Sequence, residues 1–376
     1  MVKEFAKEAM AQVQRDLQPN ISVPRLGSLG YNVKDLFDSG INHVPEKFVQ
    51  TATAQEAFIP HNVTSKGLQI PVIDLGGLQD ESRRGATLAA IESACQEWGF
   101  FQIINYGIPP SLAENTHKLA REFFDLPQEE KEALARDPQN PVSNGYGRQF
   151  LTSTNSTEDW QDLFFHHLLP LSIKQKDSWP SKPAAYRETM EEYGAEVLKL
   201  TDRLLDVFDE LLGLKTGYLR ESFGDTMLNV RLNFYAACPE PKRVLGLRAH
   251  SDPNVISVLI QDQVGGLQVK KGNQWVNVTP IPGALVVNLG DSIQIASNGR
   301  FQSVEHRVVT NQGAARLSLA MFRHPSVDVD IGPAPELVDA SHPALYPTIS
   351  YAAYRASFHR KGVNGKHLLP YAISRP

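Results

Sequence analysis

Two histidines, one aspartate and one arginine in the second half of this chain carry the types and spacing that chemistry requires. His250 and Asp252 sit two residues apart in AHSDP, and His306 follows 54 positions later in SVEHRVV. Side chains at i and i+2 of a strand point to the same face, so the spacing predicts both on one wall of a β barrel. His306 is far enough away in sequence to come from a strand across the fold. Two imidazoles and a carboxylate form a facial triad that suits ferrous iron and leaves coordination positions open. Three nitrogen and oxygen ligands with an open site also describe catalytic zinc, and spacing does not choose between the two metals. Buried among apolar strands, such groups would cost several kcal/mol unless paired or metal-bound.

Arg316 separates the alternatives. In RLSLAMF it shares a strand face with Ser318 and is flanked by Leu317, Leu319, Ala320 and Met321, which predicts burial. A buried arginine needs an anionic partner. Its planar fork matches a carboxylate with two parallel hydrogen bonds, and a serine hydroxyl adds another contact. A structural Arg–Asp pair is the plain alternative. A zinc hydrolase has no standing need for this clamp, whereas an enzyme activating oxygen with a 2-oxo acid does.

The elements that must hold these residues follow from periodicity. From Met227 onward the period is two: LNVRLNFY, NVISVLIQD, the run GGLQVKKGNQWVNVTPIPGALVVNLG, SVEHRVVT and RLSLAMFRHP read as strands between Gly, Asn and Pro turns. At least seven short strands in about a hundred residues predict a double-sheet jelly roll or cupin-like barrel. Upstream, Leu68–Leu75 and GFFQIINYG read as strands, and 80–97, 110–123 and 127–135 as helices. WQDLFFHHLLP is strand-like. A long helix follows from Ala184 to Leu212, with Val197, Leu200, Leu204, Phe208 and Leu211 on one stripe and Gly213 at its end. The first 17 residues have the spacing of an amphipathic helix, 18–67 are rich in loops, and the segment after 334 reads as a loop and a short helix placed to cap a barrel mouth. The expected fold is mainly β with flanking helices. It divides into an N-terminal helical and strand region (1–225), a core (226–330) and a C-terminal cap (331–376).

Composition excludes several classes. A net charge of −5 and scattered Lys and Arg give no basic footprint for nucleic acid. No apolar run reaches the length of a membrane span. Two cysteines, Cys95 and Cys238, cannot form a disulfide framework and fit a reducing compartment. The acidic residues Glu4, Glu8 and Asp16 argue against a transit peptide. The expectation is a cytoplasmic protein, monomeric because nothing in the pattern forces a dimer, whose partner is a small molecule.

The chain resembles the plant 2-oxoglutarate and Fe(II)-dependent dioxygenases, the group with anthocyanidin synthase, flavanone 3-hydroxylase and flavone synthase I. The resemblance runs from IPVIDL (70–75) to the tail near 346–360. It rests on WGFFQIINYG (98–107), FFDLPQEEK (123–131), NGYG (144–147), WQDLFFH (160–166), RLNFYAACPEP (231–241), GLRAHSDPNVISVLIQD (246–262), GGLQV (265–269), PGALVVNLGDSIQIASNGRFQSVEHRVV (282–309) and RLSLAMF (316–322). It implies a distorted double-stranded β-helix, with Fe(II) on His250, Asp252 and His306 as the catalytic centre. It also implies 2-oxoglutarate held by Arg316 and Ser318, helped by Tyr235 and Asn233. O₂ is then the second co-substrate, ascorbate an activator, and succinate and CO₂ the co-products of hydroxylation or desaturation.

Two departures mark this chain. The family's Asn-His-Gly is Asn105-Tyr106-Gly107 here, in a segment expected to support the fold. Jasmonate oxidases of the same group grip a carboxylate substrate with arginines; Arg231 and Arg355 match two of these, and the third position is His359. For the substrate, Phe322 falls where flavonoid-type members stack the ring, and Tyr146, Arg148 and Phe165 lie in segments expected near the mouth. Aromatic lining suits a flat phenolic molecule, so flavanone oxidation is the leading expectation. Oxidation of a carboxylate hormone such as a jasmonate, an Fe(II) oxidase working without 2-oxoglutarate, and a non-catalytic cupin-like receptor are the alternatives.

Overall fold

The change of period at Met227 marks real strands, and a computed structural model shows what they join. It describes residues 32–50, 67–137, 143–148, 157–362, 365–366, 368 and 371–373. The first half contains α1 (Val33–Asp38), β1 (Val72–Asp74), α2 (Glu81–Glu97), β2 (Phe100–Ile104), α3 (Pro110–Phe124) and α4 (Gln128–Glu132). There follow β3 (Gly145–Gly147), β4 (Asp162–Leu169), α5 (Tyr186–Leu212) and α6 (Tyr218–Phe223). The second half runs β5 (Met227–Tyr235), β6 (Leu245–His250), β7 (Ile256–Gln261), β8 (Leu267–Lys271), β9 (Gln274–Asn277) and β10 (Leu285–Leu289). It ends with α7 (Asp291–Ala296), β11 (His306–Val309), β12 (Arg316–His324), β13 (Asp330–Ile331), β14 (Ile349–Ser350) and α8 (Tyr351–Lys361).

These strands make two principal sheets: a major one in the order β1-β2-β10-β7-β12-β5-β4-β3 and a minor one in the order β6-β11-β8-β9. Phe100, Leu259 and Val286 of the major sheet meet Leu247, Leu267, Val269, Val276 and Val308 of the minor sheet in one apolar layer. Alternation explains the layer: in β10, Leu285 and Val287 join the core on the other side of the major sheet, while Val286 faces the minor sheet. That double-sheet jelly roll is the expected fold. Strands β1 to β4, all from the first half, extend the major sheet, so it runs unbroken through the boundary at 225/226. The far face is covered by α5 lying against α3 and β12. Val197, Leu200, Leu204 and Phe208 of the long stripe are buried, and Gly213, at φ 75°, ends the helix in the left-handed region that glycine enters freely.

One local expectation is corrected and two elements are added. The strand expected over Leu68–Leu75 is only β1, because the Asp74 carboxylate accepts from Gly76 N and turns Leu75–Gln79 into a 3-10 helix. LGLRAH forms β6, although glycine and arginine obscure its alternation. DSIQIA, to which the sequence pattern assigns no element, is the helix α7. The helix expected over the first 17 residues lies outside the described residues. Cys95 and Cys238 are buried free thiols. Among the described residues, no helix is long and apolar enough to cross a membrane.

Candidate active site

His250 closes β6 and stands directly opposite His306 in the antiparallel β6–β11 pair. The second histidine therefore comes from the neighbouring strand, not from across the fold; the 55 intervening residues build β7 to β10 and α7 before the chain returns. Asp252 also departs from expectation, since it lies two residues beyond the end of β6. Its position comes from a backbone bond, Asp291 N donating to Asp252 O at 2.7 Å, and from its own carboxylate. Ser257 Oγ and Asn288 Nδ2 both donate to Asp252 Oδ2, at 3.0 and 2.8 Å. The other oxygen, Oδ1, is 3.6 Å from His250 Nε2 and 3.9 Å from His306 Nε2. One ligand atom from each of the three residues lies within 4.8 Å of the others, the one such His/Cys/Asp/Glu group among the described residues.

The protonation states suit a cation. His250 Nδ1 lies 2.9 Å from Arg248 O, which fixes a proton there and leaves Nε2 as a lone pair facing Asp252. Burial, with the adjacent His306 adding to it, holds His250 well below its ordinary range. Burial alone would raise Asp252. The two imidazoles, Asn288 and Ser257 outweigh it and hold the carboxylate below its ordinary range. A neutral imidazole beside an ionised, oriented carboxylate is the donor set that a divalent metal takes, so these residues fit Fe(II).

Arg316 opens β12 opposite Tyr235 on β5, with Ser318 opposite Asn233. The guanidinium lies over the Tyr235 ring, 5.2 Å from its centroid. Nη1 donates to Ser318 Oγ at 3.2 Å and Nη2 to Gln261 Oε1 at 3.0 Å, while Nε is buried without a partner. Arg316 is only 3% exposed, yet no carboxylate among the described residues pairs with it. The structural Arg–Asp pair is absent, and a buried guanidinium held by neutral groups is prepared for an incoming carboxylate.

The cavity above these residues is walled by one face of the major sheet. Strand register sets its rows: Leu163, Asn233 and Ser318 in one, Phe165, Arg231 and Ala320 in the next, then Asn229 and Phe322. The minor sheet supplies Leu247, Leu267 and Val308, and α8 closes the mouth with Arg355, Phe358 and His359. Phe322, Phe165, Arg231 and Arg355 therefore face the cavity. Asn233 accepts from Arg231 Nε at 2.7 Å. Tyr146 and Arg148 do not line it. Tyr146 packs against Phe123 and Phe124, and Arg148 is ion-paired with Glu158. Tyr106 is buried outside the cavity, its hydroxyl donating to Gly283 O at 3.0 Å and its carbonyl accepting from Arg203; this is a fold-supporting position.

Sequence reasoning passed over Asn288, Ser257, Gln261, His324 and Arg136. Polar residues within apolar strands were a usable signal for Asn288 and Ser257. Arg136 carried none, because it precedes a segment without periodicity.

A profile described as the 2OG-Fe(II) oxygenase superfamily matches residues 226–325, and one described as the non-haem dioxygenase in morphine synthesis N-terminal region matches 70–182. Jasmonate-induced oxygenase 4 of Arabidopsis thaliana is 42% identical, over 89% of this chain and 95% of its own length. Flavanone 3-dioxygenase 2 of Oryza sativa subsp. japonica is 39% identical, over 80% of this chain and 86% of its own. A crystal structure of JOX2 in complex with 2OG, Fe and JA superposes with a TM-score of 0.83 at 38% identity, covering 92% of this chain and 98% of that one.

Proposed function

The chain belongs to the 2OG-Fe(II) oxygenase superfamily, and from that premise we propose that it oxidises a small, largely apolar molecule bearing a free carboxylate, of the jasmonate kind. It is a 2-oxoglutarate- and Fe(II)-dependent dioxygenase. In this reading His250, Asp252 and His306 hold the iron. An iron held there would supply the coupling of O₂ and 2-oxoglutarate decarboxylation to the removal of hydrogen from a substrate C–H bond. The protein's own part is to bind, orient and exclude water. Arg316 and Ser318 take the far carboxylate of 2-oxoglutarate, with Tyr235 stacked beneath and Asn233 alongside. Ser257 and Asn288 keep one oxygen of Asp252 aimed at the metal. Phe165, Leu259, Ala320 and Phe322 supply the apolar surface along which the substrate lies, and Phe358 of α8 shields it.

The observation that carries this reading is the pair Arg231 and Arg355. Both face the cavity, and neither forms an ion pair among the described residues. Arg231 Nη2 is buried without a partner, and burial holds Arg355 below its ordinary range. Asp252 is the one carboxylate among the described lining residues, and the iron claims it. Cations so placed favour an anionic substrate over a neutral flavanone. Phe165 and Phe322 favour a flavanone as the second reading. Its setting is the cytosol and its working form a monomer.

The test is succinate release with Fe(II), ascorbate and 2-oxoglutarate, with jasmonic acid or naringenin added. Strong stimulation by jasmonic acid and little by naringenin is expected; the reverse order would transfer the protein to flavonoid oxidation.

A further inference from the structure

Resting on the carboxylate reading above, we infer that Arg136 is the third arm of the substrate clamp and sets the preference for a free acid over its ester. Arg136 follows α4, on a loop that ordinary sequence signals leave blank. Its backbone is fixed from both sides: Arg136 N donates to Tyr146 O at 2.9 Å, and Tyr146 N donates to Leu134 O at 2.7 Å. So close an approach needs Gly145, whose φ is +129° and where a Cβ would lie 2.5 Å from Leu134 O and 2.9 Å from Arg136 N. The side chain is then aimed inward. Nε donates to Ser143 O at 3.2 Å, and the guanidinium lies 5.7 Å from the centroid of Phe165. Phe165 is paired with Arg231 across β4 and β5, which brings the two arginines to the same part of the wall.

Arg136, Arg231 and Arg355 thus converge from three separate elements: a loop, the sheet and the C-terminal helix. All three line the same cavity. Burial and the neighbouring charge of Arg231 bring Arg136 down to about 9, and His359 feels both Arg355 and Arg136. The histidines around them add no charge. Burial, reinforced by these arginines, takes His167 and His359 down to about 3 and His324 well below its ordinary value. Like charges gathered in a half-buried cavity repel one another and favour an anion between them. Arg316 opens β12, and Ala320, the cross-strand partner of Arg231, lies four residues on, roughly 13 Å along the strand, so the co-substrate clamp and this cluster are separate cation sites. His359 stays neutral, and Arg136 supplies from the opposite wall the charge that residue lacks.

The experiment measures binding of jasmonic acid and of methyl jasmonate by calorimetry, to protein loaded with Fe(II) and 2-oxoglutarate in the absence of oxygen. Wild type should prefer the acid by 100-fold or more. Arg136→Met should cut that preference at least tenfold through weaker binding of the acid, with the ester little changed. Arg136→Lys, which keeps the charge, should retain most of the preference, and undiminished ester binding by the Met variant shows that its loss is not misfolding. An unchanged acid-to-ester ratio in Arg136→Met, with Arg231→Met abolishing it, would remove Arg136 from the clamp and leave the carboxylate reading intact. Equal binding of acid and ester by wild type would overturn both.

Discussion

Replacing Arg316 by lysine keeps the positive charge and discards the fork. In the folded protein the guanidinium is anchored to Ser318 and Gln261 through separate nitrogens and lies 5.2 Å from the centroid of the Tyr235 ring, which holds its fork in place for an incoming carboxylate. A lysine ammonium is a point donor and replaces two parallel charge-assisted bonds by one. Each hydrogen bond to a charged group is worth about 1.5–3 kcal/mol, and about 1.4 kcal/mol is a factor of ten in binding. Arg316→Lys should therefore raise the apparent KM for 2-oxoglutarate by roughly 10- to 150-fold. Arg316→Met, which loses both bonds, should exceed that range. The assay is initial-rate succinate formation at varied 2-oxoglutarate and saturating substrate, with calorimetric binding of 2-oxoglutarate as a second readout. A KM within twofold of wild type in both variants would refute the role given to Arg316, whatever the effect on kcat.

Three further outcomes follow from the same geometry. Removing both donors to Asp252 Oδ2, as Ser257→Ala with Asn288→Ala, should weaken metal binding by about 10- to 100-fold, read by Co(II) titration of the metal-free protein; unchanged affinity would mean the carboxylate is held by backbone alone. Gly290→Ala should destabilise by about 3 kcal/mol or more, because its Cβ would lie 2.0 Å from Asn254 O, two residues past the ligand Asp252; a denaturation midpoint equal to wild type would show that the loop yields. His167, buried and held near 3 by burial and by Arg355 and Arg136, stays neutral in the folded state while the unfolded chain takes up a proton below about 6.5. Folding stability should then fall as pH drops from about 6.5 toward 3, with His167 alone contributing about 1.4 kcal/mol at pH 5.5. His324, shifted in the same direction, adds to it. Denaturant midpoints that stay flat between pH 7.5 and 5.5 would count against neutral buried histidines.

The sequence by itself determined the period-two strands from Met227, the long amphipathic α5 with its glycine stop, and the residue types of the metal and 2-oxo acid sites. These are local properties: alternation, helical spacing and a polar residue placed among apolar ones are written in neighbouring positions. Only the tertiary structure decided which strands are neighbours. His306 is paired with His250 because β11 hydrogen-bonds to β6, a register that the 55 intervening residues do not encode locally. Asp252 aims at the site through Asp291, Ser257 and Asn288, not through strand alternation. Tyr146 and Arg148, near in sequence to Phe165's partner strand, were turned away by packing and by the Glu158 ion pair. Arg136 entered the cavity because a glycine let two backbones touch. A site wall built across strands and loops is fixed by contacts between distant parts of the chain, and such contacts exist only once the two sheets have closed on their common core.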